Sequence, residues 1–285
     1  MKAMKRILAL TLAAAMLLCL SGCGGFELKM ARAASKMSNL KSVHMDMDLA
    51  LDMSMPTFLG AAIPLDVAMT GSVDSGFSPL LTRAELQVSA LGAEKSLLYY
   101  LEQAGEQYVM YLSSNQGKSW LKELVEPEEL PAQLNLNMND LLVFKDCADS
   151  FAEVGTETVG GFTATRYDGL IPGEYVGRAL ALTGALDVLS QALGVELEDG
   201  DMSQLGSIPT SVWIDNKSGY IVRYSMEPTE VMQEVIRQGM TELLAEYGLG
   251  GLNPELNLEK ATVSVELSQF NEAPEVVIPA AAKAA

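Results

Sequence analysis

Between Val43 and Met55 the chain alternates without a break. Val43, Met45, Met47, Leu49, Leu51, Met53 and Met55 occupy every second place, and His44, Asp46, Asp48, Ala50, Asp52 and Ser54 lie between them. A period of two sustained this long fits a strand and no helix. It predicts a long antiparallel strand with one dry face and one wet face. A strand cannot bury a face by itself, so the chain must build a sheet around it.

The segments that follow supply that sheet. After a turn region marked by Pro56 and Gly60, Ile63, Leu65, Val67, Met69 and Val73 alternate again. Residues 80–90 repeat the pattern, with Leu80, Ala84, Leu86, Val88 and Ala90 opposite Arg83, Glu85 and Gln87. Residues 97–102 and 107–113 come next, and Asn115-Gln116-Gly117 turns the chain toward Trp120. This predicts an antiparallel meander of about five or six strands. Two hairpins are expected later, one about Gly160-Gly161 and one about Asn216-Lys217-Ser218-Gly219, and a last strand over 261–270.

Helices are expected at four places. Over 26–40, Phe26, Met30, Ala33, Met37 and Leu40 form one apolar stripe, with Lys29, Arg32 and Lys36 on the polar side. Residues 137–148 read as a short helix capped by Asn137. Residues 172–193 read as a helix apolar on nearly every side, and the acidic loop 196–201 follows. After Pro228, Val231, Val235, Ile236, Met240, Leu243, Leu244 and Tyr247 give a stripe that Gly248 ends. Val276-Val277-Ile278-Pro279 is a short apolar segment near the end. No long linker and no repeat of fixed period interrupts the chain. The expectation is an α+β chain with one domain over 23–285.

The first 22 residues read differently. Lys2, Lys5 and Arg6 precede the uncharged run 7–20, which is shorter than the ~20 residues of a spanning helix. Leu20-Ser21-Gly22-Cys23 closes the run. This resembles the bacterial lipobox, in which the cysteine receives a diacylglyceryl thioether and becomes the first mature residue. The resemblance implies a signal peptide over 1–22 and acylation, of the palmitate kind, at Cys23. The chain is then held on the extracytoplasmic face of the cell membrane by its N-terminal lipid anchor. Of the three cysteines, Cys19 would leave with the signal and Cys23 would be alkylated. Cys147 would remain alone, as a buried apolar group rather than a nucleophile.

Charge narrows the partners. The formal net charge is −18, and −21 once Lys2, Lys5 and Arg6 are gone. That excludes a general nucleic-acid binder, which needs a basic footprint. Lys29, Arg32 and Lys36 are a local exception, read either as a patch for anionic headgroups or as a solvated helix face. Catalysis finds little support: the one histidine, His44, lies among acids on the wet face, and no G-x-S-x-G, H-E-x-x-H or P-loop is present. No cofactor is expected. The methionines of the first strand suit Cu(I), and Glu196, Glu198, Asp199 and Asp201 suit Ca²⁺, but core packing and a solvated loop explain both better. No metal site is assigned.

The order of elements now resembles the LolA/LppX-like superfamily of bacterial lipoproteins, in its Gram-positive-type surface form. The resemblance rests on Leu40-Lys41-Ser42-Val43, Tyr108-Val109-Met110-Tyr111, Val212-Trp213-Ile214-Asp215-Asn216-Lys217-Ser218-Gly219-Tyr220 and Val277-Ile278-Pro279, and covers most of 26–279. It implies a curved, half-open antiparallel barrel with helices packed on the concave side, and a concavity that takes a lipid or other apolar ligand. On that reading Met45, Met47, Leu49, Leu51, Met53, Leu180, Leu186 and Leu189 line the site. The alternative is a non-catalytic structural or protein-interaction module of the cell envelope, in which helices fill the concavity; the sequence names no protein partner.

Overall fold

The computed structural model describes residues 25–56, 61–90, 92–105, 107–126, 138–183, 204–248 and 256–285. The signal segment 1–22, Cys23, Gly60, Asn137, Leu186, Leu189 and the acidic loop 196–201 lie outside the described residues.

The alternating stretch is one strand, β1 (Ser42–Pro56). Its partners explain its length. On one side it pairs with β3 (Val67–Phe77), Met45 opposite Val73 and Leu49 opposite Met69. On the other it pairs with β12 (Asn257–Ser268), Met45 opposite Leu267 and Leu49 opposite Val263. A short strand, β2 (Ala62–Pro64), pairs with its end. Met45 and Leu49 thus meet apolar neighbours on both flanks, which helps fix the register.

From β3 the meander continues through β4 (Leu80–Ala90), β5 (Ala93–Ala104), β6 (Gln107–Ser113) and β7 (Leu121–Val125). Beyond β12 lie β11 (Ile221–Met226), β10 (Ile208–Asp215), β9 (Phe162–Ile171) and β8 (Ala152–Val159). All pairs are antiparallel. The result is one twelve-stranded sheet that does not close, since β7 and β8 end the path. The β8–β9 turn is Gly160-Gly161, with φ of +55° and +86°, a backbone that favours glycine in a two-residue hairpin.

Helices cover the inner face. In α1 (Gly25–Met37), Phe26, Met30, Ala33 and Met37 are buried on one stripe. The 137–148 helix is in fact three short pieces, with α2 (Leu142–Asp146) between two 3₁₀ turns. Next come α3 (Val176–Thr183) and α4 (Thr229–Glu246). One apolar core joins Met45, Leu49, Leu51 and Met53 to Met30 and Met37 of α1, Phe144 of α2, Leu180 of α3 and Met232 and Ile236 of α4. The architecture is a half-open α+β barrel. One expectation fails locally: Tyr247 lies past the end of α4 and is 72% exposed, because the helix stops before its stripe reaches it.

The outer face carries a second core. Tyr100 and Tyr111 face outward on β5 and β6 and are buried under Val276, Ile278 and Ala282. Ala282 belongs to α5 (Ala280–Lys283). The C-terminal segment thus straps the outside of the meander. Lys283 Nζ is 3.7 Å from Glu102, and Tyr111 donates a 2.6 Å hydrogen bond to the same carboxylate.

Candidate functional site

Two inner-face features can meet a ligand. The first is the wall formed by β4, β5 and β6. Inward residues Val88, Leu97, Tyr99, Tyr108 and Met110, with Met47 beside them on β1, pack against the core yet remain half-buried. Burial pushes the Tyr99 hydroxyl above its usual pKa, as expected beside apolar surface. Here the sheet is apolar but only partly covered, in contrast to the β1–β12 region.

The expected lining residues divide accordingly. Met45, Leu49, Leu51, Met53 and Leu180 are fully enclosed by the core, while Met47 is half-buried on the side of the open wall. Leu186 and Leu189 lie outside the described residues. Val88, Leu97, Tyr99 and Met110 were missed as a group. They became visible only once the register placed them on one face.

The second feature is a cleft of about 620 Å³ between α1 and the inner ends of β9 and β10. Its α1 wall is Lys29, Ala31, Arg32, Ser35 and Lys36, the polar side of the amphipathic helix. The facing wall is Thr165 and Tyr167 of β9, Ile214 and Asp215 of β10, and Asn216, Lys217 and Gly219 of the following turn. Four cations therefore line one opening in a chain of net charge −18.

Local bonds hold both walls. The Lys29 ammonium bonds the Tyr167 hydroxyl and stands 3.4 Å from Glu153. The Tyr167 bond, and then the nearby charges, raise the Lys29 pKa. Tyr167 itself is pushed up by burial. Burial alone would raise the Asp215 carboxyl, but the side-chain and backbone donors of Ser218 hold it below its usual value. Thr165 donates to Asn216 at 2.6 Å. Lys36 donates to the Ser218 carbonyl, a neutral acceptor. Gly219, at φ +73°, makes room for that ammonium, since a Cβ there would meet Lys36 Nζ at 3.2 Å.

Other reactive groups are accounted for by their neighbours. His44 Nδ1 is 2.6 Å from Asp74, and Arg83 reaches the same carboxylate at 3.7 Å, in a cross-strand row on the outer face. The Cys147 thiol is buried, and burial with the Asp146 charge pushes its pKa up to about 11, so it stays protonated at neutral pH. Among the described residues no group of three or more His, Cys, Asp or Glu is placed to hold a metal ion, and no helix is long and apolar enough to cross a membrane.

No family model matches the chain, and no curated protein matches it in sequence. Among solved structures it is similar to the lipoprotein LppX of Mycobacterium tuberculosis, at 14% identity over 88% of this chain and 98% of that one, with a TM-score of 0.39. It is also similar to LprF from Mycobacterium bovis, at 10% identity over 90% and 96%, with a TM-score of 0.45. A LolA superfamily protein from Nitrosomonas europaea is similar at 7% identity over 88% and 94%, with a TM-score of 0.20. These are likenesses of fold alone.

Proposed function

We propose that this protein is a non-enzymatic extracytoplasmic lipoprotein, one domain long, held in the cell membrane by acylated Cys23, and that it binds a lipid or similar apolar ligand on its inner face. The observation that carries this reading is the half-buried wall of Met47, Val88, Leu97, Tyr99, Tyr108 and Met110. Such a surface loses free energy to water at about 25 cal/mol per Å² until something apolar covers it. Methionine and tyrosine suit the task. Thioethers repack around different chains, and a tyrosine offers an apolar ring with a polar tip. Met45, Leu49, Leu51 and Met53 lie on the same face of β1 as Met47 and are enclosed in the core beside the wall.

A two-chain or three-chain anchor suffices for stable membrane attachment. The domain then needs no spanning helix, and its inner face stays beside a source of acyl chains. Native mass spectrometry of the full chain extracted in mild detergent tests the binding reading. A co-purified acyl lipid at near one per chain is expected, and a consistently empty protein contradicts it.

A further inference from the structure

The cleft between α1 and the β10–β11 turn has a charge opposite to that of the molecule. Lys29, Arg32 and Lys36 are spaced three and four residues apart, so they share one helix face and repel one another. Lys217 approaches from the other wall. Part of this charge is met within the protein, since Lys29 stands 3.4 Å from Glu153 and the Lys217 charge helps hold the Asp215 pKa down. Asp215 is bonded within its own turn, and Lys36 bonds a neutral carbonyl. Arg32 and Lys36 have no acidic partner within ion-pair distance among the described residues. Hydroxyl groups of Thr165, Tyr167 and Ser35 join the lining, and Ile214 adds an apolar patch. Convergent cations with hydroxyls, and with few counter-charges, are the chemistry of phosphate recognition, in which a guanidinium can bond two oxygens at once.

Position favours one source of phosphate. Lys29 is six residues beyond Cys23, so at most about 20 Å of chain separates the anchor from the mouth of the cleft. We propose that this cleft takes the phosphate headgroup of an anionic phospholipid of the membrane that carries the anchor. The placement rests on the lipoprotein reading above; the apolar wall is a separate site. Headgroup capture would bring α1, and with it the inner face, to a fixed angle on the bilayer.

The test uses the full chain in mild detergent and native mass spectrometry, with phosphatidylglycerol, phosphatidylcholine, diacylglycerol and glycerol 3-phosphate as probes. Wild type is expected to retain phosphatidylglycerol about tenfold better than phosphatidylcholine. The double variant Arg32→Gln, Lys217→Gln should lose that preference, while its diacylglycerol binding and circular-dichroism melting midpoint stay unchanged. Equal retention of the two phospholipids by wild type, or an unchanged preference in the variant, overturns the proposal. Tight glycerol 3-phosphate binding without phospholipid preference also overturns it, by assigning the cleft to a soluble phosphate ester. Diacylglycerol reports the apolar wall alone, so its absence counts against that site and not against the cleft.

Discussion

The Lys29 ammonium lies 5.0 Å from the centre of the Tyr167 ring and bonds the Tyr167 hydroxyl. The pair joins α1, the helix nearest the anchor, to β9. Tyr167→Phe keeps the ring and removes the bond, at a cost of about 1 kcal/mol in urea unfolding. Because the folded-state pKa of Lys29 is raised, its contribution is complete below pH 10.5 and is lost as pH rises through the folded value. Lys29 is well exposed, so the pH-dependent part is small. A variant as stable as wild type at neutral pH would show that the Lys29–Tyr167 bond does not help hold α1.

Gly169 is a close-approach position. A Cβ there would lie 2.6 Å from Cγ of Phe151 and under 3.0 Å from both Cδ atoms. Phe151 stacks on Phe26 of α1, with ring centroids 4.7 Å apart. Gly169→Ala must displace that ring, and we expect a loss of about 1 to 3 kcal/mol. An unchanged urea midpoint would mean that the Phe26–Phe151 stack shifts without cost.

The C-terminal strap should matter to stability although it is far from the inner face. Ile278 is buried against the outward side of β5 and β6, and Ile278→Ala is expected to cost about 2 to 4 kcal/mol. The strap also confers alkali sensitivity. Burial, then the bond to Glu102, raises the Tyr111 pKa to about 12. The unfolded chain ionises near 10, so the contribution of this group is full below pH 10 and disappears as pH rises through about 12. Stability measured against pH should decline less steeply across that window in Tyr111→Phe. Identical slopes would refute the assignment.

Thiol counting separates the mature chain from its precursor. Native protein should give no reaction with a water-soluble thiol reagent at pH 8, because Cys147 is buried and protonated. In denaturant the acylated chain should show one thiol, whereas an unprocessed chain would show all three. Three thiols in protein taken from membranes would contradict lipidation at Cys23.

The sheet was legible where the pattern was local. Alternation marked β1, β3 and β4, and Gly160-Gly161 marked the β8–β9 turn. The placement of β12 beside β1 was not legible. Met45 and Leu267 meet across most of the chain, and nothing near either residue encodes the pairing. The strap had a signal that was overlooked: Leu97-Leu98-Tyr99-Tyr100-Leu101 breaks the alternation, as a strand covered on both faces does. The cleft was half legible. Lys29, Arg32 and Lys36 stood out on α1, but Lys217 joins them only through the packing of α1 against the far half of the sheet.

The proposed function turns on an apolar ligand held on the inner wall. Its most direct test is photo-cross-linking of the full chain in mild detergent with a fatty acid bearing a diazirine on its chain, followed by peptide mapping. Adducts should concentrate on Met47, Val88, Leu97, Tyr99 and Met110, and excess unlabelled fatty acid should suppress them. Adducts confined to other surfaces, or insensitive to competition, would contradict the account.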